Sequence, residues 1–198
     1  MAEELCRDLQ RLIDDQENRE LECRAFLRYA KDLLVLPDIA DRFVDVEMER
    51  IEYLGRSDYL VVANVFRSGD KYRRAYLWEL KAPQCFIYEE DTRTRLKPSQ
   101  DFVDAENQLL NYYYGLKESA IFRQQYEICA ASDISSGGII IGCERTKVRG
   151  NYTEAEKISR YNIAKRVKDQ LYDGKIKVRT WDEICSFIGG QRKENVIR

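Results

Sequence analysis

Apolar positions change their spacing several times along the chain, and each change predicts an element. Leu5, Leu9 and Leu12 recur at helical intervals, and Leu21, Ala25, Tyr29 and Leu33 follow at i, i+4 steps until Pro37. The polar stretch Asp14-Asp15-Gln16-Glu17-Asn18 separates the two runs. The period then falls to two. Val44, Val46 and Met48 alternate with Asp45, Glu47 and Glu49, which predicts a half-buried strand. Asp58 to Phe66 and Tyr72 to Lys81 are rich in β-branched and aromatic residues and flank the turn signal Ser68-Gly69-Asp70, so they predict a long hairpin. The polar segment 84–100 reads as a loop.

Helical spacing returns over 101–118, where Phe102, Ala105, Leu109, Tyr113 and Leu116 mark the buried stripe, and 119–132 reads as more helix. Gly137-Gly138 leads into Ile139-Ile140-Ile141, a short apolar run of the central-strand type. Thr153-Glu154-Ala155-Glu156 is a capping box opening a helix that Asp173-Gly174 closes. Residues 175–179 alternate like a strand, and Thr180-Trp181-Asp182-Glu183 is a second capping box before a short last helix. The order predicts an α/β fold with a mixed central sheet flanked by helices. The expected organisation is one domain over 1–198: a helical N-terminal segment (1–36), an α/β core (40–188) and a flexible tail (189–198).

Composition narrows the chemistry. Of 198 residues, 44% are apolar and 11% aromatic, enough for a real core. The start is acidic and lacks an apolar stretch of the secretory type, and no apolar run is long enough to span a bilayer, so a cytoplasmic protein without membrane association is expected. The six cysteines are scattered with no C-x-x-C pair, which reads as reduced thiols and not a zinc site. Histidine is absent, which removes Ser-His-Asp and Cys-His triads, H-E-x-x-H zinc hydrolysis and histidine general bases. Catalysis must then run on carboxylates, lysine, arginine, tyrosine or a metal, and carboxylates suit Mg²⁺ or Mn²⁺. The net charge of −2 does not call for nucleic acid, though a local basic rim around an acidic site remains compatible with it.

The chain's one Glu-x-Lys triplet is Glu79-Leu80-Lys81, at an apolar strand end followed by Ala82-Pro83. Alternation puts Glu79 and Lys81 on one face and Trp78 and Leu80 on the other. Phosphodiester hydrolysis uses such a pair: a carboxylate holds a divalent cation, and a neighbouring lysine orients the attacking water. One carboxylate holds Mg²⁺ weakly, and Asp58, at the start of the preceding strand, is the natural second ligand. A solvated strand face with an opposite-charge pair is the competing reading.

The sequence Gly55-x-x-Asp58, Trp78-Glu79-Leu80-Lys81-Ala82-Pro83, a helix carrying Gln108, Ile139-Ile140-Ile141-Gly142 and Thr180-Trp181-Asp182-Glu183-Ile184 resembles the Shedu-type anti-phage nuclease domain, a branch of the PD-(D/E)xK superfamily. The resemblance runs over roughly residues 18–188 and implies a restriction-endonuclease-like fold, DNA as substrate, Mg²⁺ or Mn²⁺ as cofactor and a homo-oligomer. It implies metal ligation by Asp58, Glu79 and the Leu80 carbonyl, a catalytic Lys81 and a supporting Gln108. It implies an acid on the first helix too, for which Glu20 and Glu22 both qualify. It also points to a basic residue after Gly142, for which Arg145 stands, and Lys147 and Arg149 in the following loop are candidates for nucleic-acid contact. Arg93, Arg95 and Lys97 make the 84–100 segment a charged insertion. Lys157, Arg160, Lys165, Arg166 and Lys168 give the 153–172 helix a basic side, and Tyr112, Tyr113 and Tyr114 form an aromatic cluster with core packing or an interface as its first reading. Two other functions stay open: a catalytically silent nucleic-acid-binding or assembly module of the same fold, and an RNA-directed nuclease.

Overall fold

The computed structural model describes residues 2–35, 42–50, 59–67, 70–92 and 95–190, with the backbone alone for 42–50 and Arg67. The principal sheet has five strands: β1 (Arg42–Arg50), β2 (Tyr59–Arg67), β3 (Asp70–Leu80), β6 (Ile134–Ile140) and β8 (Lys177–Arg179), in the order β1-β2-β3-β6-β8. The first three pair antiparallel, and β3, β6 and β8 run parallel, so the sheet is mixed. A smaller sheet joins β4 (Tyr88–Thr92), β5 (Arg95–Pro98) and β7 (Val148–Arg149).

Alternation along β2 and β3 divides the core in two. Leu60, Val62, Ala75 and Leu77 pack with Phe102, Ala105 and Leu109 of α3 (Gln100–Glu118), with Phe122 of α4 (Ala120–Gln125) and with Tyr161 of α5 (Glu154–Leu171). Val61, Ala63, Tyr76, Trp78 and Leu80 pack on the opposite face. There they meet Leu9 and Ile13 of α1 (Ala2–Asp14), Cys23 of α2 (Glu20–Arg24) and Ile184 and Ile188 of α6 (Trp181–Ile188). The period-two reading of the hairpin and the 3.6-residue stripe of α3 thus hold, apart from Tyr113, which is only partly buried against the core.

Four expectations need correction. The second helical run ends after five residues, giving α2 and then two 3₁₀ turns, Leu27–Tyr29 and Lys31–Leu34. Its buried stripe is Cys23, Leu27, Ala30 and Leu34, while Leu21 is 70% and Tyr29 42% exposed. Two apolar stripes compete on this segment, and the stripe that reaches Trp78 is the buried one: the Trp78 indole N–H donates to the Leu34 carbonyl at 2.8 Å. The 84–100 segment is not a plain loop, because β4 and β5 form a hairpin within it. The second capping box forms by half: Thr180 accepts from the Glu183 amide, whereas the Glu183 carboxylate turns to Arg179 at 3.3 Å. Finally, the cysteines are not all free thiols. Cys6 on α1 and Cys185 on α6 form a disulfide with Cα atoms 5.1 Å apart, across 179 positions of sequence. No helix among the described residues is long and apolar enough to cross a membrane. Asp58, Pro37, Arg93 and the 191–198 part of the expected tail lie outside the described residues.

Candidate active site

The end of β3 is where the two layers meet. Glu79 follows Leu77 on the α3 side of the sheet, yet it is only 4% exposed. Trp78 and Leu80 anchor the other side. Beyond Leu80 the chain is clamped from three directions. The Lys81 amide donates to the Ile140 carbonyl at 2.9 Å, the Trp181 indole donates to the Lys81 carbonyl at 2.8 Å, and the Thr146 hydroxyl donates to the Pro83 carbonyl at 2.8 Å. Gly142 passes beneath with φ of 68°, and a Cβ there would lie 2.9 Å from the Cys85 carbonyl oxygen, so only glycine allows this approach.

On this frame the Lys81 ammonium donates to Glu79 Oε1 at 2.9 Å and to Gln108 Oε1 of α3 at 2.6 Å. Burial works against its charge, but the hydrogen bond and charge of Glu79, with the charge of Glu20, hold its pKa above the ordinary lysine value. The second carboxylate oxygen of Glu79 is buried without a hydrogen-bond partner. Glu20, at the first position of α2, completes the group from the opposite layer. Burial lifts its carboxyl above the ordinary glutamate range; Lys81 pulls it down and the like charge of Glu79 pushes it up. The two candidates for the helix acid separate here: Glu22 is exposed and pairs with Arg19 at 3.1 Å, while Glu20 is the one that senses Lys81 and Glu79.

Other predicted residues lie elsewhere or are engaged within the fold. Leu80, expected to lend its carbonyl, has its side chain in the core on the Trp78 face of the sheet. Arg145 donates to the Ile13 carbonyl at 2.6 Å and lies 3.6 Å from Asp14, which ties it to the end of α1. Lys147 pairs with Glu144 and covers the Tyr161 ring at 4.9 Å. Arg149 covers the Phe86 ring at 4.4 Å. The basic side of α5 is largely matched within the protein too. Lys157 pairs with Glu154, Lys165 with Asp169 and Lys168 with Glu106, and Arg160 covers the Tyr152 ring. Lys97 pairs with Glu89 at 3.2 Å.

Three neighbours were not read from the sequence. Burial first, then the charges of Asp101 and Glu20, push the pKa of the Cys85 thiol up to about 12. It is therefore a neutral thiol and a poor nucleophile at neutral pH. Asp101 stands seven residues before Gln108 on α3, a spacing of two turns on one face that could have drawn attention to it. Gln84 is the third, and it holds the chain before α2 through three hydrogen bonds.

The donors gathered here are oxygens, which suit a hard divalent cation. A buried carboxylate oxygen without a partner and a second carboxylate raised by its burial and neighbour are the features such an ion would relieve. Among the described residues, no three acidic, cysteine or histidine side chains converge on one point, so Glu79 and Glu20 would need a further ligand. The sequence matches no protein-family model and no curated protein, so the assignment of this site rests on its own chemistry.

Proposed function

We propose that the protein is a metal-dependent DNA endonuclease of restriction-endonuclease-like fold, acting in anti-phage defence. The observation that carries the reading is the Lys81 ammonium held between Glu79 and Gln108 at the end of a central strand, beside a buried carboxylate oxygen that lacks a partner. Glu79 and Glu20 would hold Mg²⁺ or Mn²⁺, with Asp58 and the Leu80 carbonyl as the remaining protein ligands. The bound ion supplies Lewis-acid stabilisation of phosphorane charge and an acidified water. Lys81 has three N–H groups, and two are used by Glu79 and Gln108. The third can donate to the attacking water or to a phosphate oxygen. Gln108 fixes the direction of the ammonium, so that the donor is oriented before substrate arrives.

The test is plasmid nicking in Mg²⁺ or Mn²⁺ with the wild type, Lys81→Ala and Glu79→Ala. Cleavage by the wild type and its loss in both variants is expected. Equal activity in all three would sink the assignment. Metal-independent DNA binding without cleavage supports a silent nucleic-acid-binding module, and cleavage of RNA alone redirects the substrate. A homo-oligomer belongs to the same proposal; Ile163, Val167 and Leu171, exposed at four-residue steps on α5, are in keeping with it, and sedimentation velocity tests it.

A further inference from the structure

We infer that Gln84 is a positioning residue for Glu20, coupling the end of the catalytic strand to the helix that brings the second acid. This rests on the reading of Glu20 as part of the metal site. Gln84 stands three residues after Lys81, in a turn closed by the Cys85 amide on the Ala82 carbonyl at 3.1 Å. Its amide group is fully used on one stretch of backbone. Nε2 donates to the carbonyls of Leu12 and Asp15, both at 3.0 Å, and Oε1 accepts from the Arg19 amide at 3.2 Å. These bonds cross 65 to 72 positions of sequence.

Arg19 is the residue immediately before Glu20, and α2 has only five residues. A helix that short has no stability of its own, so its placement comes from tertiary contacts: the packing of Cys23 in the core, the Tyr59 hydroxyl donating to the Arg24 carbonyl at 2.8 Å, and the bonds at its entry. The Asn18 side chain accepts from the Glu20 amide at 3.1 Å, which orders the entry locally, but among the described residues it bonds no other element. Gln84 is the described side chain that ties this entry to the strand end carrying Lys81. Arg145 grips the end of α1 through Ile13 and Asp14 instead, six or more residues before Glu20. Both tethers hold the end of α1, but of the two only Gln84 also bonds the Arg19 amide, and so sets where α2 begins and where Glu20 stands relative to the strand end.

The experiment follows the entry to α2 itself. Amide hydrogen exchange over residues 19–24 is read by NMR in the wild type, Gln84→Met, Gln84→Glu and Arg145→Ala. Gln84→Met keeps the side-chain length and removes all three hydrogen bonds. Gln84→Glu sets a carboxylate against two carbonyls. In both Gln84 variants exchange over 19–24 quickens by about 10-fold or more while the β3 and β6 amides keep their protection, and in Arg145→Ala the 19–24 amides exchange as in the wild type. Unchanged exchange over 19–24 in folded Gln84→Met overturns the inference, even if the melting temperature drops. Failure of both Gln84 variants to fold overturns it too, because the residue then serves the whole fold.

Metal binding gives a second readout. Mn²⁺ affinity by calorimetry is expected to fall about 10- to 100-fold in Gln84→Met, the cost usual for a group that orients a ligand. Raising Mn²⁺ then restores cleavage, which a misfolded fraction would not allow. The exchange measurement needs neither metal nor cleavage. A wild type that binds no Mn²⁺ and cuts nothing thus refutes the nuclease reading, while exchange over residues 19–24 still decides whether Gln84 sets the entry to α2.

Discussion

Removing the Lys81 ammonium should destabilise the protein through the partner left behind. In the Glu79–Lys81 pair the side chains are 5% and 19% exposed, and Glu79 Oε2 already lacks a hydrogen bond. Lys81→Met keeps the aliphatic stem and deletes the charge, which leaves the buried Glu79 carboxyl without its cation. Breaking a buried pair from one side costs roughly 3–5 kcal/mol, and the lysine's partial exposure favours the lower end. Glu79→Gln leaves the ammonium, which reaches water more readily and still bonds Gln108, so its cost is expected to be smaller. The double variant carries no unpaired charge and should be more stable than Lys81→Met alone, a favourable coupling of about 1–3 kcal/mol. Urea unfolding followed by tryptophan fluorescence is suited to this, because Trp78 and Trp181 are both fully buried and border the pair. A loss of about 3 kcal/mol moves the urea midpoint by roughly 1–2 M. If Lys81→Met costs under about 1 kcal/mol and the two changes simply add, the pair behaves as a surface ion pair and burial does not govern its strength.

Glu20→Gln should lower metal affinity and cleavage, while Glu22→Gln, exposed beside Arg19, should leave both near wild type; equal effects in a Mn²⁺ titration would undo the choice between them. The pH dependence follows from the same carboxyl. Its folded pKa lies above the reference value of 4.5, so the folded state holds the proton more tightly than the unfolded chain does. Glu20 therefore makes stability fall as pH rises from about that reference value through the raised value, with no further change above it. Glu20→Gln removes this downward step and is the more stable protein at neutral pH, as thermal melts across pH 4–8 would reveal. Mg²⁺ prefers the ionised carboxylate and shrinks the step in the wild type. Reducing the Cys6–Cys185 disulfide should cost about 2–4 kcal/mol, read as a lower melting temperature in reductant that Cys6→Ala reproduces without it.

Local periodicity is legible along the chain before any long-range contact forms. Alternation from Ala75 to Leu80 sorts Leu77 and Glu79 from Trp78 and Leu80, because neighbouring side chains on a strand must point to opposite faces. The stripe through Phe102, Ala105 and Leu109 places Gln108 on a helix that packs on that sheet. Thr153 and Glu156 mark the start of α5 because orphan amides there need acceptors. The absence of histidine limits the chemistry whatever the fold. Tertiary structure decided what depends on partners far apart in the chain. Leu21 and Cys23 head rival stripes, and only contact with Trp78 chose the second. Glu20 and Glu22 are equivalent in sequence, two positions apart on one short helix, until the fold turns one toward Lys81 and leaves the other beside Arg19. The pairing of Cys6 with Cys185 and the grip of Gln84 on the entry to α2 have no local signature, since neither residue type in isolation says what it will meet. Several of the cations that read as a basic rim are matched by acids and rings of the same molecule, because a charge finds its neutralising partner through space and not through order along the chain.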